Sequence, residues 1–345
     1  MALYTPKTIL VTGGAGFIGS HYVDHILEKY PSVKIITLDA LTYAGSLENL
    51  NNAQKSPRHT FVHGNILDRA LIQTLLEQHE IDTIVHFAAE SHVDRSINGP
   101  AIFIETNVMG THVLLEAARE FWLINKKWGQ QQCRFHMIST DEVYGSLHED
   151  EPAFTEQSAY KPSSPYAASK AAADHLVNAY AKTYGLPVTL SHCSNNYGPR
   201  QHTEKLIPTV IRSCMQKKAI PVYGNGLNRR DWIHVLDHCV MVDWIIHHGR
   251  IGESYNLGAN CEWKNRDLIH LICKLMDKHH AEIQHHAQLI TFVTDRAGHD
   301  FRYAINSQKA ISEGCPMPQF TLESTLSDMI HREWVDERNG ATHRT

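Results

Sequence analysis

A glycine-rich turn near the N-terminus constrains the fold of this chain more than any other stretch of its sequence. Residues 13–19 read Gly-Gly-Ala-Gly-Phe-Ile-Gly, between an apolar, β-prone run at 8–12 and a helix-compatible segment at 20–29. A strand, a glycine turn and a helix in this order let the backbone approach a pyrophosphate, with the helix N-terminus directed at its charge. We therefore expect a dinucleotide to bind over Gly13, Gly16 and Gly19.

An acidic residue at the end of the next apolar run discriminates between dinucleotides. Residues 34–38 predict a second strand, and Asp39 follows it. A carboxylate at this position hydrogen-bonds a ribose 2′-hydroxyl and repels a 2′-phosphate. The sequence therefore predicts NAD rather than NADP.

Strand-like apolar runs alternate with helical segments up to about residue 194. Further strands are predicted at 60–63, 82–89, 135–139 and 187–191, and helices at 106–120 and 166–184. This alternation is typical of an α/β protein with a doubly wound parallel sheet, the Rossmann-type architecture. Residues 7–194 are predicted to form this domain and to carry the catalytic residues. Residues 195–335 are predicted to form mostly a smaller, mixed substrate lobe, from which some segments return to the sheet.

Residues with unusual chemistry follow the fifth predicted strand. Thr140, Asp141 and Glu142 place a hydroxyl beside two adjacent carboxylates, and environments that push two such pKa values apart give one site both an acid and a base. Tyr166 and Lys170 are one helical turn apart and so share a face. The ammonium group is expected to lower the pKa of the phenol towards neutrality, so that Tyr166 can accept the proton of a substrate hydroxyl.

Composition argues against several other classes of function. The net charge of −5, with both signs interspersed, gives no basic surface for nucleic acid, and no apolar run reaches membrane-spanning length. Seven scattered cysteines without a CxxC pair indicate reduced thiols and a cytoplasmic protein. The 25 histidines include adjacent pairs but no HExxH motif, so no metal is expected.

These motifs, in this order, resemble the extended short-chain dehydrogenase/reductase family. Within it the chain resembles the dTDP-glucose 4,6-dehydratases over roughly residues 7–335. The most discriminating stretch is Ser-Thr-Asp-Glu-Val-Tyr-Gly at 139–145. Further matching segments lie at 88–97, 193–199, 204–208, 230–235 and 295–300.

The resemblance implies a reaction and a role for each catalytic residue. Tyr166, beside Lys170 and assisted by Thr140, takes the proton of the sugar 4-hydroxyl while the C4 hydride passes to NAD. Glu142 then removes the C5 proton, Asp141 protonates the departing 6-hydroxyl, and the hydride returns to C6. The product is a 4-keto-6-deoxy sugar of deoxysugar (rhamnose-type) nucleotide biosynthesis. NAD is regenerated in each turnover and is expected to be tightly bound.

The resemblance also implies which residues bind the two ligands. NAD is expected to contact Gly13, Gly16, Phe17, Ile18, Gly19, Asp39, Asn65, Ile66, Ala88, Ala89, Tyr166 and Lys170. The nucleotide-diphospho-sugar is expected to contact Ser91, Thr140, Asn196, Lys205, Leu206, Arg230, Asn265, Arg296 and His299. The chain departs from the family pattern at Asn65, where Asp is usual, at His192, where Arg is usual, and at residues 200–203.

Three alternatives stay open. A UDP- or CDP-glucose 4,6-dehydratase would share the chemistry and differ only in its contacts with the base. A nucleotide-sugar 4-epimerase would share the fold, NAD and the Tyr/Lys pair, but it has no need of Asp141 and Glu142. A non-catalytic NAD-sensing protein would have little reason to keep all five catalytic residues. The resemblance further implies a homodimer, joined by a four-helix contact between the helices at 106–120 and 166–184.

Overall fold

The computed structural model describes residues 3–279 and 285–338. Within these residues the strands are β1 (Thr8–Thr12), β2 (Lys34–Asp39), β3 (His59–His63), β4 (Thr83–His86), β5 (Arg134–Thr140), β6 (Val188–Cys193), β7 (Asn195–Tyr197), β8 (Ile220–Tyr223), β9 (Arg229–His234), β10 (Ser254–Leu257), β11 (Glu262–Lys264) and β12 (Ile290–Val293). The helices are α1 (Phe17–Lys29), α2 (Arg69–Gln78), α3 (Val93–Asn98), α4 (Ala101–Phe103), α5 (Thr111–Ala118), α6 (Pro165–Tyr184), α7 (Leu206–Met215), α8 (Val235–His248), α9 (Asn265–His279), α10 (Gln308–Ser312) and α11 (Leu322–Arg338).

Seven strands form one parallel sheet in the order β10-β6-β5-β4-β1-β2-β3. Every residue of β1, β4, β5 and β6 is buried, as expected for central parallel strands with both faces covered. The chain builds outward from β1 to β3 on one side and then from β4 to β6 on the other. This reversal opens a crevice at the carboxyl ends of β1 and β4, where such sheets bind ligands. The predicted doubly wound parallel sheet is confirmed.

Helices cover both faces of the sheet and bury one apolar core on each. On one face, α1 and α8 contribute side chains such as Tyr22, Ile26 and Ile245. On the other face, α2, α5 and α6 contribute side chains such as Leu114 and Val177. Packed helices therefore cover both faces of the sheet, and the residues that follow each strand at its carboxyl edge are attached to a rigid core.

The two helices predicted before β5 and β6 are both present, and the first is longer than predicted. Helical conformation runs from Ala101 to Asn125, with wide π-helical turns at Ile104–Gly110 and Arg119–Asn125 on either side of α5. The second helix, α6, ends at Gly185, whose φ of +71° is a left-handed conformation that favours glycine.

The smaller lobe contains a mixed sheet, in which β9 pairs antiparallel with β11 and parallel with β7, and a β8–β12 pair. Helices α7, α9 and α11 enclose a third apolar core around side chains such as Ile207 and Leu268. Two later segments belong to the large sheet instead: β10 is its edge strand beside β6, and α8 packs against it. The domain boundary at residues 194 and 195 stays a prediction, and residues 280–284 of the predicted lobe lie outside the described residues.

Two kinds of feature are missing from the described part of the chain. None of its helices is both long and apolar enough to cross a membrane. No group of three or more His, Cys, Asp or Glu side chains in the same residues could hold a metal ion. The prediction that no metal is required stays a prediction.

Candidate active site

The turn between β1 and α1 depends on close backbone contacts that only glycine allows. Gly13 has a φ of +68°, and its N–H donates to the Leu38 carbonyl at 2.9 Å. A Cβ atom at Gly19 would lie 2.3 Å from the Gly13 oxygen and 2.8 Å from the Gly14 Cα. The turn leads directly into α1 at Phe17, so the positive end of the helix dipole lies at the carboxyl edge of the sheet.

Asp39 ends β2 with its carboxylate beside this turn. Its Oδ2 accepts from the Ala15 N–H at 2.9 Å, and its Oδ1 accepts from the Leu41 N–H at 2.8 Å. Burial raises the pKa of this carboxyl, and the two backbone hydrogen bonds oppose the rise because they stabilise the anion. Each oxygen can still accept a second hydrogen bond, as a ribose diol requires.

A cavity of about 370 Å³ runs along the carboxyl edge of the sheet and gathers most of the predicted residues. Its lining includes every residue predicted to bind NAD and every predicted catalytic residue. Four of the predicted substrate residues, Ser91, Thr140, Asn196 and Lys205, also line it. The others, Leu206, Arg230, Asn265, Arg296 and His299, are outside this lining.

Asn65 and Ile66 lie just after β3, where the adenine end of a dinucleotide is expected. Ile66 is buried against Gly110, where an added Cβ would come within 2.4 Å of the Ile66 Cδ1. The Asn65 Oδ1 accepts from the Leu67 N–H at 3.0 Å. Its NH2 group is therefore the part of the side chain that can donate to a ligand.

Helix α6 carries Tyr166 and Lys170 into the cavity. Ser164 caps the helix by accepting a hydrogen bond from the Ala167 N–H at 3.1 Å. Lys170 is only 3% exposed, and its Nζ donates to the Ile138 carbonyl at 2.8 Å. The ammonium group thus lies against the end of β5, one helical turn from the phenol.

The pKa of Tyr166 differs from the expectation. Burial and the neighbouring Glu142 carboxylate raise it well above its ordinary value, and a hydrogen bond with Thr140 opposes the rise. Burial also lowers the pKa of Lys170, because an ammonium ion loses hydration in the interior. The expectation that Lys170 brings the phenol towards neutrality is wrong for the protein alone, since burial outweighs the effect of the ammonium group.

The two predicted acids lie in a short 3₁₀ turn, Asp141–Tyr144, that directly follows β5. Thr140 caps this turn: its Oγ1 accepts from the Glu142 N–H at 3.3 Å and donates to the Asp141 Oδ1 at 3.4 Å. Asp141 is 2% exposed, and its Oδ2 has no hydrogen-bond partner among the described residues. A buried oxygen without a partner, at the wall of a cavity, is placed to meet a ligand.

The surroundings of the two acids differ in charge. Burial raises the pKa of Asp141 well above its ordinary value, and the nearby carboxylates of Glu142 and Asp231 raise it further. Burial also raises the pKa of Glu142, but the cations Arg296 and Arg230 oppose the rise. The arrangement favours a proton on Asp141 and a negative charge on Glu142, which are the forms needed by an acid and a base.

Three of the predicted substrate residues form a cationic group beside Glu142. Lys205 directly precedes α7, and its Nζ donates to the Ser91 carbonyl at 3.2 Å. Burial lowers the pKa of both Lys205 and Arg230. The Nε of Arg296 is buried without a hydrogen-bond partner among the described residues. Lys205 and Arg296 are half-buried and Arg230 is buried, and partly desolvated cations of this kind suit the oxygens of a diphosphate.

The two asparagines predicted to bind the substrate, Asn196 and Asn265, differ in how much of the side chain a ligand can use. The Asn196 Oδ1 lies 2.9 Å from the His238 Nδ1, and its Nδ2 donates to the Ser194 carbonyl at 3.0 Å. The protein therefore already engages both ends of this carboxamide. The Asn265 Oδ1, in contrast, is buried and has no partner within the described chain.

His299 and Leu206 lie in the smaller lobe. The His299 Nδ1 is 2.6 Å from the Asp295 Oδ1, and its ring packs edge-on against Tyr223. Burial and the nearby Arg296 lower the pKa of His299. Leu206 is the first residue of α7 and packs against the lobe core. The roles of both in substrate binding stay predictions.

A buried polar network beneath the cavity was not predicted from the sequence. Asp174, on α6, is fully buried and accepts a hydrogen bond from the Ser139 hydroxyl at 2.7 Å, and it lies 3.2 Å from His192. The sequence spacing could have revealed part of this network, because Asp174 is four residues after Lys170 and so lies on the same helix face. Other cavity-lining polar residues outside the prediction include Tyr43, Glu90, Thr106, Gln201, His202 and Glu204.

Comparison with known proteins agrees with this site. A family described as GDP-mannose 4,6 dehydratase matches residues 10–329. The chain is 48% identical over 343 residues to a dTDP-glucose 4,6-dehydratase from Escherichia coli, a match that covers 94% of each chain.

Two solved structures share the fold over nearly the whole chain. The dTDP-glucose 4,6-dehydratase of Streptomyces venezuelae with NAD bound is 42% identical, with a TM-score of 0.87 and coverage of 97% of this chain and 99% of that one. The corresponding enzyme of Bacillus anthracis in complex with NAD is 43% identical, with a TM-score of 0.84 and coverage of 96% and 97%. The resemblance in the motifs is therefore confirmed, and this chain belongs to the dTDP-glucose 4,6-dehydratase family.

Proposed function

We propose that this chain is an NAD-dependent hydro-lyase that converts dTDP-glucose to dTDP-4-keto-6-deoxyglucose and water. The observation that carries the proposal is the pair Asp141 and Glu142, two acids at the end of β5, in the cavity that holds Tyr166; carboxylates add to the rise of the Asp141 pKa, and more cations oppose the rise of the Glu142 pKa. An oxidation alone would need no such pair, whereas loss of water needs both a base and an acid. The relatives named above support dTDP-glucose as the substrate and deoxysugar nucleotide biosynthesis as the setting.

The cavity fits NAD. The glycine turn allows the backbone close to a pyrophosphate, and an added Cβ at Gly13 would lie 2.6 Å from the Ala88 nitrogen. The Asp39 carboxylate has remaining acceptor capacity for the adenosine ribose, and a phosphate on that ribose would meet a negative charge. Ile66 offers an apolar surface for adenine, and Lys170 a donor for the second ribose. When bound, NAD would supply the acceptor for the C4 hydride and the donor that returns this hydride at C6.

The first step requires Tyr166 to take the proton of the 4-hydroxyl as C4 becomes a ketone. Because burial raises the pKa of the phenol, the protein alone keeps Tyr166 protonated. Cations therefore have to offset burial when the site is filled, and the Lys170 ammonium is the cation that the chain itself supplies. Thr140 stabilises the phenolate when its hydroxyl proton turns from the Asp141 Oδ1 to the Tyr166 oxygen.

The second step uses the two acids. The 4-ketone acidifies the C5–H bond, and the Glu142 carboxylate takes that proton. The C6–O bond breaks as the Asp141 carboxyl donates its proton to the departing hydroxyl, which leaves as water. One proton is gained by Glu142 and one is lost by Asp141, so the pair exchanges its charge during the elimination. When the hydride returns to C6, Glu142 gives its proton back to C5, and the proton that Tyr166 took from the 4-hydroxyl balances the one that Asp141 has lost. The buried Asp141 Oδ2, which lacks a partner in the described protein, is the oxygen we assign to this transfer.

The diphosphate is assigned to Lys205, Arg230 and Arg296. Their charges lie close enough to Glu142 to oppose the rise of its pKa, so the same cations that hold the diphosphate keep the base ionised. Asn265, with its unpartnered Oδ1, is assigned to the nucleotide. Ser91, Asn196, Leu206 and His299 complete the proposed substrate site.

We further propose that the enzyme is a cytoplasmic homodimer. Large apolar side chains are 39–53% exposed along the helical segment before β5 and at the end of α6, namely Ile97, Ile102, Ile104, Met109, Ile124 and Tyr184. A second copy of these helices would cover them in a four-helix contact. The free cysteines support a reducing compartment. Sedimentation equilibrium tests the dimer, and a monomer at micromolar concentration would refute it.

Mass spectrometry of the purified protein with dTDP-glucose, and separately with UDP-glucose, tests the main proposal. Loss of one water from the dTDP-sugar without added NAD is expected, because the cofactor is retained and regenerated. Loss from the UDP-sugar alone would keep the mechanism and overturn the base assignment. If, with NAD added, a UDP-sugar isomerised without losing water, a 4-epimerase would be the correct function.

A further inference from the structure

A short loop follows β2 and is fixed at both ends. The Leu41 N–H donates to the Asp39 Oδ1 at 2.8 Å, and the Ser46 N–H donates to the Ala15 carbonyl at 3.1 Å. Tyr43 lies between these two hydrogen bonds, is half-buried and lines the cavity. The loop therefore presents the Tyr43 ring from a defined backbone position.

Tyr43 stacks with a residue from the opposite side of the crevice. The central guanidinium carbon of Arg95 lies 3.9 Å from the centroid of the Tyr43 ring, which is a cation–π contact. Arg95 belongs to α3, after β4, and β2 and β4 pair with opposite edges of β1. The contact therefore crosses the crevice at the end of β1. Because the Arg95 side chain is 50% exposed, the stack lies on the outer side of the cavity, away from its floor at Gly13 and Ala88.

A third segment, just before α7, holds both members of this stack. The His202 ring packs edge-on against Tyr43, with ring centroids 5.6 Å apart and planes at 86°. The Glu204 Oε2 lies 3.7 Å from the Arg95 Nη2 and 3.5 Å from the His92 Nε2. His202 and Glu204 also line the cavity. Segments that follow β2, follow β4 and precede α7 therefore meet around one phenol ring.

NAD is expected to pass beneath this stack. Asp39, the glycine turn and Tyr166 all line the cavity. With the adenosine ribose at Asp39 and the hydride acceptor near Tyr166, the pyrophosphate has to lie at the glycine turn between them. The turn forms the floor of the cavity and the stack lies on its outer side, so the two enclose this part of the path.

We propose that Tyr43, Arg95, His202 and Glu204 form a clamp over the pyrophosphate of bound NAD, and that the cofactor leaves only when this clamp opens. The contacts within the clamp are single side-chain contacts near the surface, and each of them is weak. The clamp can therefore open to admit NAD, yet it slows release while all of its contacts are made. In the proposed reaction the hydride has to return before the cofactor leaves, so slow release protects each turnover.

Release of NAD is measured directly and without turnover. Protein loaded with isotopically labelled NAD is mixed with excess unlabelled NAD, and the label that stays bound is followed over time by mass spectrometry. Tyr43→Leu removes the ring, and Arg95→Gln removes the cation. Each should speed release roughly tenfold, because a partly desolvated cation–π contact is lost and such losses appear mainly in the dissociation rate. Wild-type release rates in both variants would overturn the proposal.

Three further variants tie the effect to the stack itself. Tyr43→Phe keeps the ring and should release NAD about as slowly as wild type, so release as fast as in Tyr43→Leu would overturn the proposal. The double variant Tyr43→Leu/Arg95→Gln removes one contact from both sides, and it should release NAD about as fast as the faster single variant. Two single effects that multiplied would show that the residues act separately, and no clamp would exist. Arg69→Gln removes an exposed cation from α2 and is the matched control, in which release should not change.

These measurements separate the clamp from the proposed function and from a role in substrate binding. Wild-type protein that fails to dehydrate dTDP-glucose would overturn the function, and the release of NAD would still decide the clamp. Weaker dTDP binding by calorimetry, with unchanged NAD release in the same variants, would overturn the clamp. Because half of the Arg95 side chain is exposed, Arg95→Gln leaves the core intact and decides the outcome even if Tyr43→Leu is unstable.

Discussion

Replacement of Asp141 by Asn is expected to abolish most turnover and at the same time to stabilise the protein. The substitution keeps the shape of a side chain that is 2% exposed, but the carboxamide has no acidic proton to deliver. General acid catalysis contributes about 10²–10⁴-fold, so loss of water should slow by roughly that factor. The preceding oxidation at C4 uses Tyr166 and should be much less affected. NADH and the 4-keto sugar should therefore accumulate on the variant.

The stability effect follows from the pKa of Asp141. Burial, together with the carboxylates of Glu142 and Asp231, raises this pKa in the folded protein well above its value in the unfolded chain. Between the two values the folded state binds more protons than the unfolded state, so its stability falls as the pH rises. One such group changes the free energy of unfolding by about 1.4 kcal/mol per pH unit. Asn does not titrate, and its advantage over Asp should therefore grow as the pH rises above the ordinary carboxyl range, until the pH passes the raised pKa of Asp141.

Two assays check these expectations. Rapid-quench mass spectrometry separates the oxidised sugar from the dehydrated product, and thermal unfolding at two pH values follows the stability difference. The exposed Asp150→Asn is the control, for which neither measurement should change with pH beyond the wild-type trend. Equal slowing of oxidation and elimination would refute the assignment of Asp141 as the acid. A stability difference that stays constant as the pH rises above the ordinary carboxyl range would refute the argument from burial.

Three further predictions concern the base, the cofactor turn and the scaffold. Glu142→Gln should lower turnover by about 10²–10⁴-fold and prevent solvent deuterium from entering C5, and a variant that still exchanges C5 would contradict the assignment. Because burial raises the pKa of Glu142, the wild-type rate should increase as the pH rises through that pKa. Gly19→Ala places a Cβ 2.3 Å from the Gly13 oxygen, so the purified variant should contain little NAD in acid extracts, whereas retained NAD would refute the close-contact argument. Asp243→Asn removes a buried anion that binds Lys29 at 2.7 Å and should lower the free energy of unfolding by roughly 3 kcal/mol. Burial alone would raise the pKa of Asp243, but hydrogen bonds to its partners hold it below the ordinary value, so this loss should shrink as the pH falls through the ordinary carboxyl range; an unchanged melting temperature at neutral pH would count against it.

Local patterns in the sequence predicted the fold well where one segment determines its own structure. The strand–glycine–helix order at β1 and α1 and the alternation up to β6 depend on residues close in sequence, and both appear in the structure. The position of the catalytic turn was also predictable. Because parallel strands end at one edge of the sheet, the sequence predicts that Asp39 and Asp141 line a common cavity, and they do.

Features that depend on distant segments were harder to predict. The return of β10 to the sheet is set by packing against β6 and α8, and no local pattern specifies it. The pKa of Tyr166 was expected to fall because Lys170 shares its helix face. That expectation treated a pair of side chains in isolation, whereas burial by the rest of the fold has the larger effect. The network of Asp174 and His192 joins α6 to β6, and sequence spacing reveals only the helical half of it.

The position of β10 has a consequence for how the chain is made. A ribosome releases β6 before the residues of the smaller lobe that precede β10, so the outer edge of β6 waits for a partner while that part of the lobe is synthesised. A bare strand edge is a template for pairing with other chains. A nascent or truncated polypeptide that stops before Ser254 therefore exposes the outer edge of β6, and this edge is covered only when β10 pairs with it and becomes the edge strand of the sheet. The large sheet therefore reaches its full seven strands only after β7, α7, β8 and β9 of the smaller lobe have been synthesised.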